Sequence, residues 1–221
     1  MVFALLRKIG GVVLGAMVLL APLAAGHGVL VAPISRNYAA KLAGKEDCPH
    51  CLNSGPPCGR NNQGRDYNTP GPVKATYAQG ATIDITVELS APHRGYFKFG
   101  VCAQPTVTDA CFEANPLTNA GDRGKGTPYW WLGSLGVGTY KLKFSLPKGV
   151  SCSKCVIRWL YHSGNSCQPP QTPPEFASKT LDTCQGDSYF AERFWNCADV
   201  SIGGSGGPGN PGNPSNPNPA P

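Results

Sequence analysis

The chain has 221 residues, of which 41% are apolar and 14% charged, with 28 glycines, 22 prolines and 10 cysteines. This composition excludes a fully disordered or collagen-like chain, and the length permits one globular domain with appendages. The formal net charge is +6, of which Arg7 and Lys8 of a predicted leader supply two. The remaining +4 is too mild and too scattered to indicate nucleic acid as a partner.

Residues 1–26 are predicted to be a secretory signal peptide, because a short basic start precedes an apolar stretch and small residues at the end. An uncleaved membrane anchor is the alternative. The 17 residues from Ile9 to Ala25 are interrupted by glycine and proline, and they are near the lower limit for spanning a bilayer core. Cleavage after Gly26 would make His27 the first residue of a secreted, extracellular protein that has no membrane segment.

Alternation of polar and apolar residues predicts short strands in the body of the chain, residues 27–202. The predicted strands are residues 82–89, 96–101, 140–146, 156–161 and 198–202. No stretch keeps a helical period beyond about two turns, and short helical turns are predicted near residues 174–179 and 188–194. Clusters of proline, glycine and asparagine separate these segments. The patterns predict an all-β fold, an immunoglobulin/fibronectin-III-like antiparallel β-sandwich with long disulfide-stapled loops.

The last 19 residues, 203–221, contain glycine, proline and asparagine with no charged or aromatic residue. Such a segment cannot bury enough apolar surface to offset the entropy of ordering it, so a disordered tail is predicted. An inert tail and a spacer toward a cell wall or a partner are both compatible with this composition. The domain organisation is therefore a leader, one folded domain and a tail.

All ten cysteines lie between Cys48 and Cys197, and an even number in a secreted chain predicts five disulfides. The sequence leaves their pairing open. Cys48-Pro-His-Cys51, followed by Cys58, has a zinc knuckle as its alternative interpretation, but secretion favours disulfides. Cys152-x-x-Cys155 has the spacing of a redox motif, but no βαβ pattern surrounds it, so a structural disulfide is predicted.

The chain has four histidines, His27, His50, His93 and His162. A histidine at the amino terminus offers a metal both its α-amino nitrogen and its imidazole, and a second imidazole would complete a set of three nitrogens that suits Cu(II). His93 is the favoured second ligand because it lies in the turn that follows strand 82–89. His50 belongs to the cysteine-rich loop, and His162 follows strand 156–161. The alternatives are a chance position of the cleavage site and an ordinary loop histidine.

Four segments carry a family resemblance, and they occur in the family's order across the whole body. They are HGVLVAPISR from His27, SAPHRGYFKFGVC from residue 90, CSKCVIRWLYHSGN from residue 152 and FWNCADVSI from residue 194. Together they resemble the lytic polysaccharide monooxygenases of the chitin-binding type-4 kind. The similarity is closest to the eukaryotic branch found in insects, algae and oomycetes.

Carried over by position, the resemblance implies that His27 and His93 form the histidine brace of one copper ion, which cycles between Cu(II) and Cu(I). Phe194 falls at the axial aromatic position, where phenylalanine cannot bind copper and would shield one face. Glu192 is a candidate for positioning or protonating the oxygen co-substrate, and its alternative is an ordinary surface carboxylate. Arg158 could also approach the site, depending on which face of its strand it occupies.

The resemblance further implies a secreted, monomeric enzyme that breaks glycosidic bonds by oxidation at C1 or C4. An external electron donor would reduce the copper, and hydrogen peroxide or dioxygen would be the co-substrate. Chitin and cellulose are the favoured polysaccharide substrates and pectin is a further candidate. Trp130 and Trp131 are candidates for stacking on sugar rings, with a core or loop-pinning role as the alternative. The rival functions are a non-catalytic polysaccharide-binding module and a cysteine-stapled wall-associated structural protein.

Overall fold

The computed structural model describes residues 27–104, 106–185 and 192–203, so the predicted leader and most of the predicted tail lie outside it. The strands are β1 (His27–Ala32), β2 (Ala75–Ala78), β3 (Thr82–Ala91), β4 (Tyr96–Cys102), β5 (Thr118–Asn119), β6 (Tyr129–Trp131), β7 (Gly138–Ser145), β8 (Cys152–His162) and β9 (Arg193–Gly203). The helices are α1 (Arg36–Leu42) and α2 (Asp109–Ala114). Among these described residues, no helix has the length and apolar character needed to cross a membrane.

The strands form two sheets that pack face to face. The four-stranded sheet has the order β1-β3-β7-β5 and the five-stranded sheet has the order β2-β9-β8-β4-β6. The pairs between named strands are antiparallel apart from β2 and β9, where Ala75 lies opposite Val200 in a parallel register. The predicted β-sandwich is confirmed, and the parallel pair at one edge is an addition to it.

Period-two alternation explains the core between the sheets. In β3, Ile83, Ile85, Val87 and Leu89 are buried on one face while their neighbours are more exposed. The five-stranded sheet contributes a largely aromatic inner face, made of Phe97, Phe99, Trp159, Tyr161 and Phe194. Each large side chain buried in this way contributes about 1.5–3 kcal/mol to folding. The five predicted strands are confirmed, with ends that differ from the prediction by at most five residues.

The helical predictions had a mixed outcome. A single turn forms near residues 174–179, where the amide of Phe176 donates to the carbonyl of Pro173 at 3.0 Å. The turn predicted for residues 188–194 is wrong at its end, because β9 begins at Arg193, and residues 186–191 lie outside the described part. Helices α1 and α2 were missed because six or seven residues give too few apolar repeats to detect. Ser35 and Thr108 cap them.

The outer face of the five-stranded sheet is covered as well, by α1, α2 and the loop between α1 and β2. In this layer the guanidinium of Arg36 makes a two-pronged contact with the carboxylate of Asp199 in β9, with N···O distances of 2.8 and 2.7 Å. The same guanidinium donates to the carbonyls of Tyr67 and Asn68. This ion pair joins the HGVLVAPISR segment to the closing strand.

All ten cysteines are paired in five disulfides, as predicted. The pairs are Cys48–Cys51, Cys58–Cys197, Cys102–Cys111, Cys152–Cys155 and Cys167–Cys184. Because the cysteines at both ends of the Cys48-Pro-His-Cys51 segment are bonded to each other, the zinc-knuckle alternative is excluded. The Cys58–Cys197 bond ties the loop before β2 to β9, and Cys167–Cys184 closes the long loop between β8 and β9.

A buried carboxylate, Glu46, organises the loop between α1 and β2. It is 2% exposed and accepts hydrogen bonds from the Cys48 amide, the Asn61 amide group and the Tyr67 hydroxyl. Burial alone would raise the pKa of Glu46, but the three hydrogen bonds to its charged form outweigh burial, so the pKa lies below its ordinary value.

Glu46→Gln is expected to flatten the acid dependence of stability. A carboxyl whose pKa is lowered by folding stabilises the native state above its unfolded pKa, and this contribution disappears as pH falls through the lowered value. The measurement is the free energy of urea unfolding at several pH values from about 7 down to about 3. Asp84→Asn, which removes an exposed carboxylate from β3, is the matched control. An identical pH slope in the Glu46→Gln variant and the wild type would contradict the assignment.

Candidate metal centre and adjoining surface

His27 is the first residue of β1, on the edge of the four-stranded sheet. It lies opposite Ala91, the last residue of β3, and the register shifts between His27 and Gly28. A Cβ atom on Gly28 would lie 2.4 Å from Leu89 and 2.9 Å from the Trp159 ring, so any side chain here would force two buried residues to repack. The edge position leaves His27 half-buried at the end of the sandwich.

His93 follows two residues after the strand partner of His27, in the turn that carries the chain from one sheet to the other. Arg94 and Gly95 both have positive φ, 49° and 73°, which makes the turn tight. Gly95 accepts no side chain, because a Cβ atom would lie 1.9 Å from the carbonyl oxygen of His162. The sequence His-Arg-Gly therefore places His93 at the same end of the sandwich as His27.

Main-chain contacts hold His93 on both sides. Its amide donates to the hydroxyl oxygen of Tyr161 at 2.6 Å, and its carbonyl accepts from the amide of Gly164 at 2.6 Å. Nε2 of the His93 ring is buried and has no hydrogen-bond partner among the described residues. A buried nitrogen without a partner is costly unless a ligand takes its lone pair.

Tyr161 connects His93 to Phe194. The rings of Tyr161 and Phe194 lie opposite each other in β8 and β9 and stack with centroids 5.7 Å apart. Phe194 is fully buried, so the structure places it in the core beneath the His93 turn. Burial raises the pKa of Tyr161 above its ordinary value, which keeps the hydroxyl protonated and neutral. Tyr161 was not singled out from the sequence; it lies two residues after Trp159 in β8 and shares the inner face of the sheet with that ring.

Glu192 lies beside the same turn. Its carbonyl accepts from the amide of Ser163, the residue before the Gly164 that contacts His93. Its carboxylate accepts from the side-chain amide of Asn165 at 3.4 Å. Residues 163–165 thus connect Glu192 with His93, and this bridge was not predicted from the sequence.

Two other candidates from the sequence occupy the outer face of the five-stranded sheet. Arg158 of β8 is 3% exposed and pairs with Asp109 and Glu113 of α2, so it does not approach the two histidines. His162 also faces outward, and its Nδ1 lies 3.0 Å from the Tyr96 hydroxyl.

His50 lies in the disulfide loop next to β1, where its carbonyl accepts from the amide of Gly28 at 3.2 Å. Burial lowers the pKa of His50 below its ordinary value although Glu88 acts in the opposite direction. In the described part of the chain, no three side chains of His, Cys, Asp or Glu gather as metal ligands. A site made of two imidazoles and one terminal amine has only two side-chain ligands, so the absence of a group of three among the described side chains does not argue against it.

Trp130 and Trp131 are 4% and 2% exposed, so sugar stacking by this pair on the surface is wrong and the alternative, a core or loop-pinning role, is confirmed. Trp130 stacks on Phe97, and Trp131 stacks on Phe176.

The surface beside His93 is an open groove of about 450 Å³. Its walls are the His93 turn, the loop of residues 133–135, Gly164 with Asn165, and part of the segment 178–181. Arg94 is the permanently charged side chain among the described residues that line it.

A two-sheet β-sandwich with stapled loops and a pair of histidines at one end defines a class of domains rather than one protein. A sequence model of the family described as "Lytic polysaccharide mono-oxygenase, cellulose-degrading" matches residues 27–200. This match covers most of the chain and begins at His27. The chain therefore belongs to the lytic polysaccharide monooxygenase family.

Relatives agree with this assignment over shorter stretches. AA13 family lytic polysaccharide monooxygenase A of Aspergillus terreus is 30% identical over 109 residues, which cover 38% of this chain and 27% of that protein. The protein of the same name from Pyricularia oryzae is 30% identical over 107 residues, or 38% and 28%. The chain thus spans little more than a quarter of the length of these curated relatives.

A solved structure of similar fold is the lytic polysaccharide monooxygenase AA15 from Thermobia domestica in the Cu(I) state. It superposes with a TM-score of 0.57 at 24% identity, covering 80% of this chain and 99% of that one. This similarity is one of fold.

Proposed function

We propose that this protein is a secreted, copper-dependent lytic polysaccharide monooxygenase, in which a signal peptide, residues 1–26, is removed to leave His27 at the amino terminus. The folded enzyme is residues 27–202 and the tail is residues 203–221. The observation that carries the proposal is the pairing of His27 with Ala91, which sets His27 beside a turn whose own histidine has a buried nitrogen without a partner among the described residues.

The donor set fits copper. After cleavage, His27 would supply its α-amino nitrogen and Nδ1, because these two atoms of one residue close a six-membered chelate ring. His93 would supply Nε2, the buried nitrogen to which no described residue bonds. Three neutral nitrogens without a thiolate or carboxylate suit Cu(II) in a tetragonal arrangement. The α-amino group must lose its proton to bind, so copper affinity is expected to fall below neutral pH.

Bound copper would supply one-electron redox chemistry, driven by an external electron donor and by hydrogen peroxide or dioxygen. The protein's part is positioning. Tyr161 and Gly164 fix the backbone of His93 from two directions. Phe194, which lacks a donor atom, lies in the core behind Tyr161 and excludes water from that side. We assign to Glu192, whose carboxylate accepts from Asn165, the role of orienting or protonating the oxygen co-substrate.

The substrate is a structural polysaccharide that lies across the groove beside His93. Hydroxyl and amide groups from Ser134, Asn165 and Thr180 line that groove, and they are suited to hydrogen bonds with sugar hydroxyls. Leu135 lines it too and Val137 is exposed in the same loop, so apolar surface is present for the C–H faces of sugar rings. Among the described lining residues Arg94 alone carries a permanent charge. One cation is too few to hold a polyanionic chain such as pectin, so we favour the neutral polymers chitin and cellulose.

The decisive experiment compares copper binding by two forms of the protein, one that begins at His27 and one with a single extra residue before it. Calorimetric titration with Cu(II) is expected to give tight one-to-one binding for the first form. Loss of an outer-shell partner of a metal site lowers metal affinity roughly 10–100-fold, or by about 1.4–2.7 kcal/mol. The extended form loses a ligand itself, so its copper affinity should fall by more than that. Product mass spectrometry on chitin, cellulose and pectin then identifies the substrate.

The rival function, a non-catalytic polysaccharide-binding module, predicts the opposite result. A binding module needs the sandwich and the groove but has no use for a free terminal amine. Equal, weak copper binding by both forms would favour it and would remove the brace. The wall-associated structural role draws its support from the tail, residues 203–221, and does not explain the ordered motifs.

A further inference from the structure

The disulfide Cys48–Cys51 lies against the ring of His27. Its Cys51 sulfur is 3.7 Å from Nε2 of His27, within the reach of a hydrogen bond to sulfur. The same loop also holds the main chain behind that ring, because the His50 carbonyl accepts from the amide of Gly28. The cysteine-rich loop thus contacts His27 at its side chain and holds the residue that follows it.

A contact with sulfur selects one tautomer of the imidazole. A neutral imidazole carries its proton on one nitrogen and a lone pair on the other. A sulfur atom in a disulfide has no hydrogen and can only accept. A hydrogen bond between Cys51 and His27 therefore requires the proton on Nε2, which leaves the lone pair on Nδ1.

That tautomer is the one that chelation by a terminal histidine requires. The α-amino nitrogen can share a metal with Nδ1 of its own residue, whereas Nε2 lies on the far side of the ring. Carboxylates or carbonyl groups usually hold the second nitrogen of a metal-binding imidazole. Glu88, a carboxylate beside this loop, is instead directed at His50, with 3.7 Å between its Oε1 and Nε2 of His50.

We propose that the Cys48–Cys51 disulfide is a positioning group for His27, in which the Cys51 sulfur accepts the Nε2 hydrogen and fixes the tautomer and plane of the ring before copper binds. The proposal rests on the proposed function for the metal role of His27. A disulfide between residues only three apart closes a small loop and therefore restricts the unfolded chain little. Positioning His27 gives this disulfide a role other than stabilising the fold.

The first measurement uses metal-free wild-type protein and needs neither copper nor a processed terminus. Two-bond ¹H–¹⁵N spectra of the histidine rings, recorded with the imidazoles neutral, distinguish the two tautomers by the shifts of the ring nitrogens. His27 is expected to be in the Nε2-protonated form, with Nδ1 as the unprotonated nitrogen. A predominantly Nδ1-protonated ring would overturn the proposal.

The second measurement compares two double variants that each lose one short disulfide. C48A/C51A removes the sulfur beside His27. C152A/C155A removes a bond of the same spacing at the start of β8, whereas His162 and the His93 turn lie at the other end of that strand. The first variant is expected to move the His27 nitrogens toward a mixture of tautomers and to weaken Cu(II) binding by about 10–100-fold. The second should change neither.

Equal effects in the two double variants, or an unchanged His27 spectrum and copper affinity in C48A/C51A, would overturn the proposal. Near-ultraviolet circular dichroism checks that both variants remain folded. If C48A/C51A does not fold, the tautomer of His27 in the wild-type spectrum decides whether the proposal holds. Failure of the proposed function is recognised separately. It would appear in the wild type, as weak copper binding that is the same with and without an extra residue before His27.

Discussion

His93→Ala is expected to abolish tight copper binding while leaving the fold intact. The substitution removes Nε2, so the metal would keep only the two nitrogens of His27. The contacts of residue 93 with Tyr161 and Gly164 are made by main-chain atoms and survive the change. Calorimetric titration should show an affinity loss well beyond the roughly 10–100-fold caused by losing an outer-shell partner. Oxidised products should disappear with it.

His162→Ala is the matched control for this prediction. His162 lies at the same end of the five-stranded sheet, but its ring faces outward and contacts Tyr96. Its removal is expected to leave copper affinity unchanged. Undiminished copper binding in His93→Ala, or an equal loss in both variants, would contradict the assignment of His93 as the second ligand.

Arg36→Met is expected to destabilise the protein by about 3–5 kcal/mol, because it leaves the carboxylate of Asp199 buried without its partner. The side chains of Arg36 and Asp199 are 7% and 8% exposed, so water cannot replace the lost contact. The amide of Gly71 also donates to the Asp199 carboxylate, and this hydrogen bond would remain in the variant. Urea unfolding followed by tryptophan fluorescence, with the disulfides intact, measures the change.

Two further variants test the physical reason. Adding Asp199→Asn to Arg36→Met removes the unpaired charge, so the double variant should lose much less than the sum of the two single losses. Arg60→Met breaks an exposed pair with Asp66 and should cost about 0–1 kcal/mol. A loss of stability of similar size in Arg36→Met and Arg60→Met would mean that burial does not increase the cost of breaking the Arg36–Asp199 pair.

The fold was predictable where a single sheet face is buried. β3 alternates cleanly because its outer face meets solvent, and its prediction was accurate at the amino end. β8 and β9 are covered on both faces, so their sequences do not alternate simply, and their full length was underestimated. The sequence does not indicate on which face of the sheet Arg158 of β8 lies. Its acidic partners are in α2, and that helix was too short to detect.

The two histidines of the candidate site were visible in the sequence, but the residues that support them were not. The placement of one histidine after a predicted cleavage site and of another after a strand is visible in sequence, and the strand pairing of His27 with Ala91 agrees with it. The contacts of Tyr161, Asn165 and Cys51 join segments far apart in the chain, and no local pattern encodes them. Trp130 and Trp131 were ambiguous for the same reason, since only packing against distant aromatic rings fixes their burial.

The hydrogen bond from the His93 amide to Tyr161 has a consequence for cooperativity. The turn that carries His93 leaves the four-stranded sheet, and Tyr161 belongs to the five-stranded one. Releasing His93 by local fraying would therefore require the two sheets to part at that end, which exposes aromatic core. The His93 turn is therefore expected to open together with the aromatic core, and heat should release this turn and unfold the sandwich in one transition.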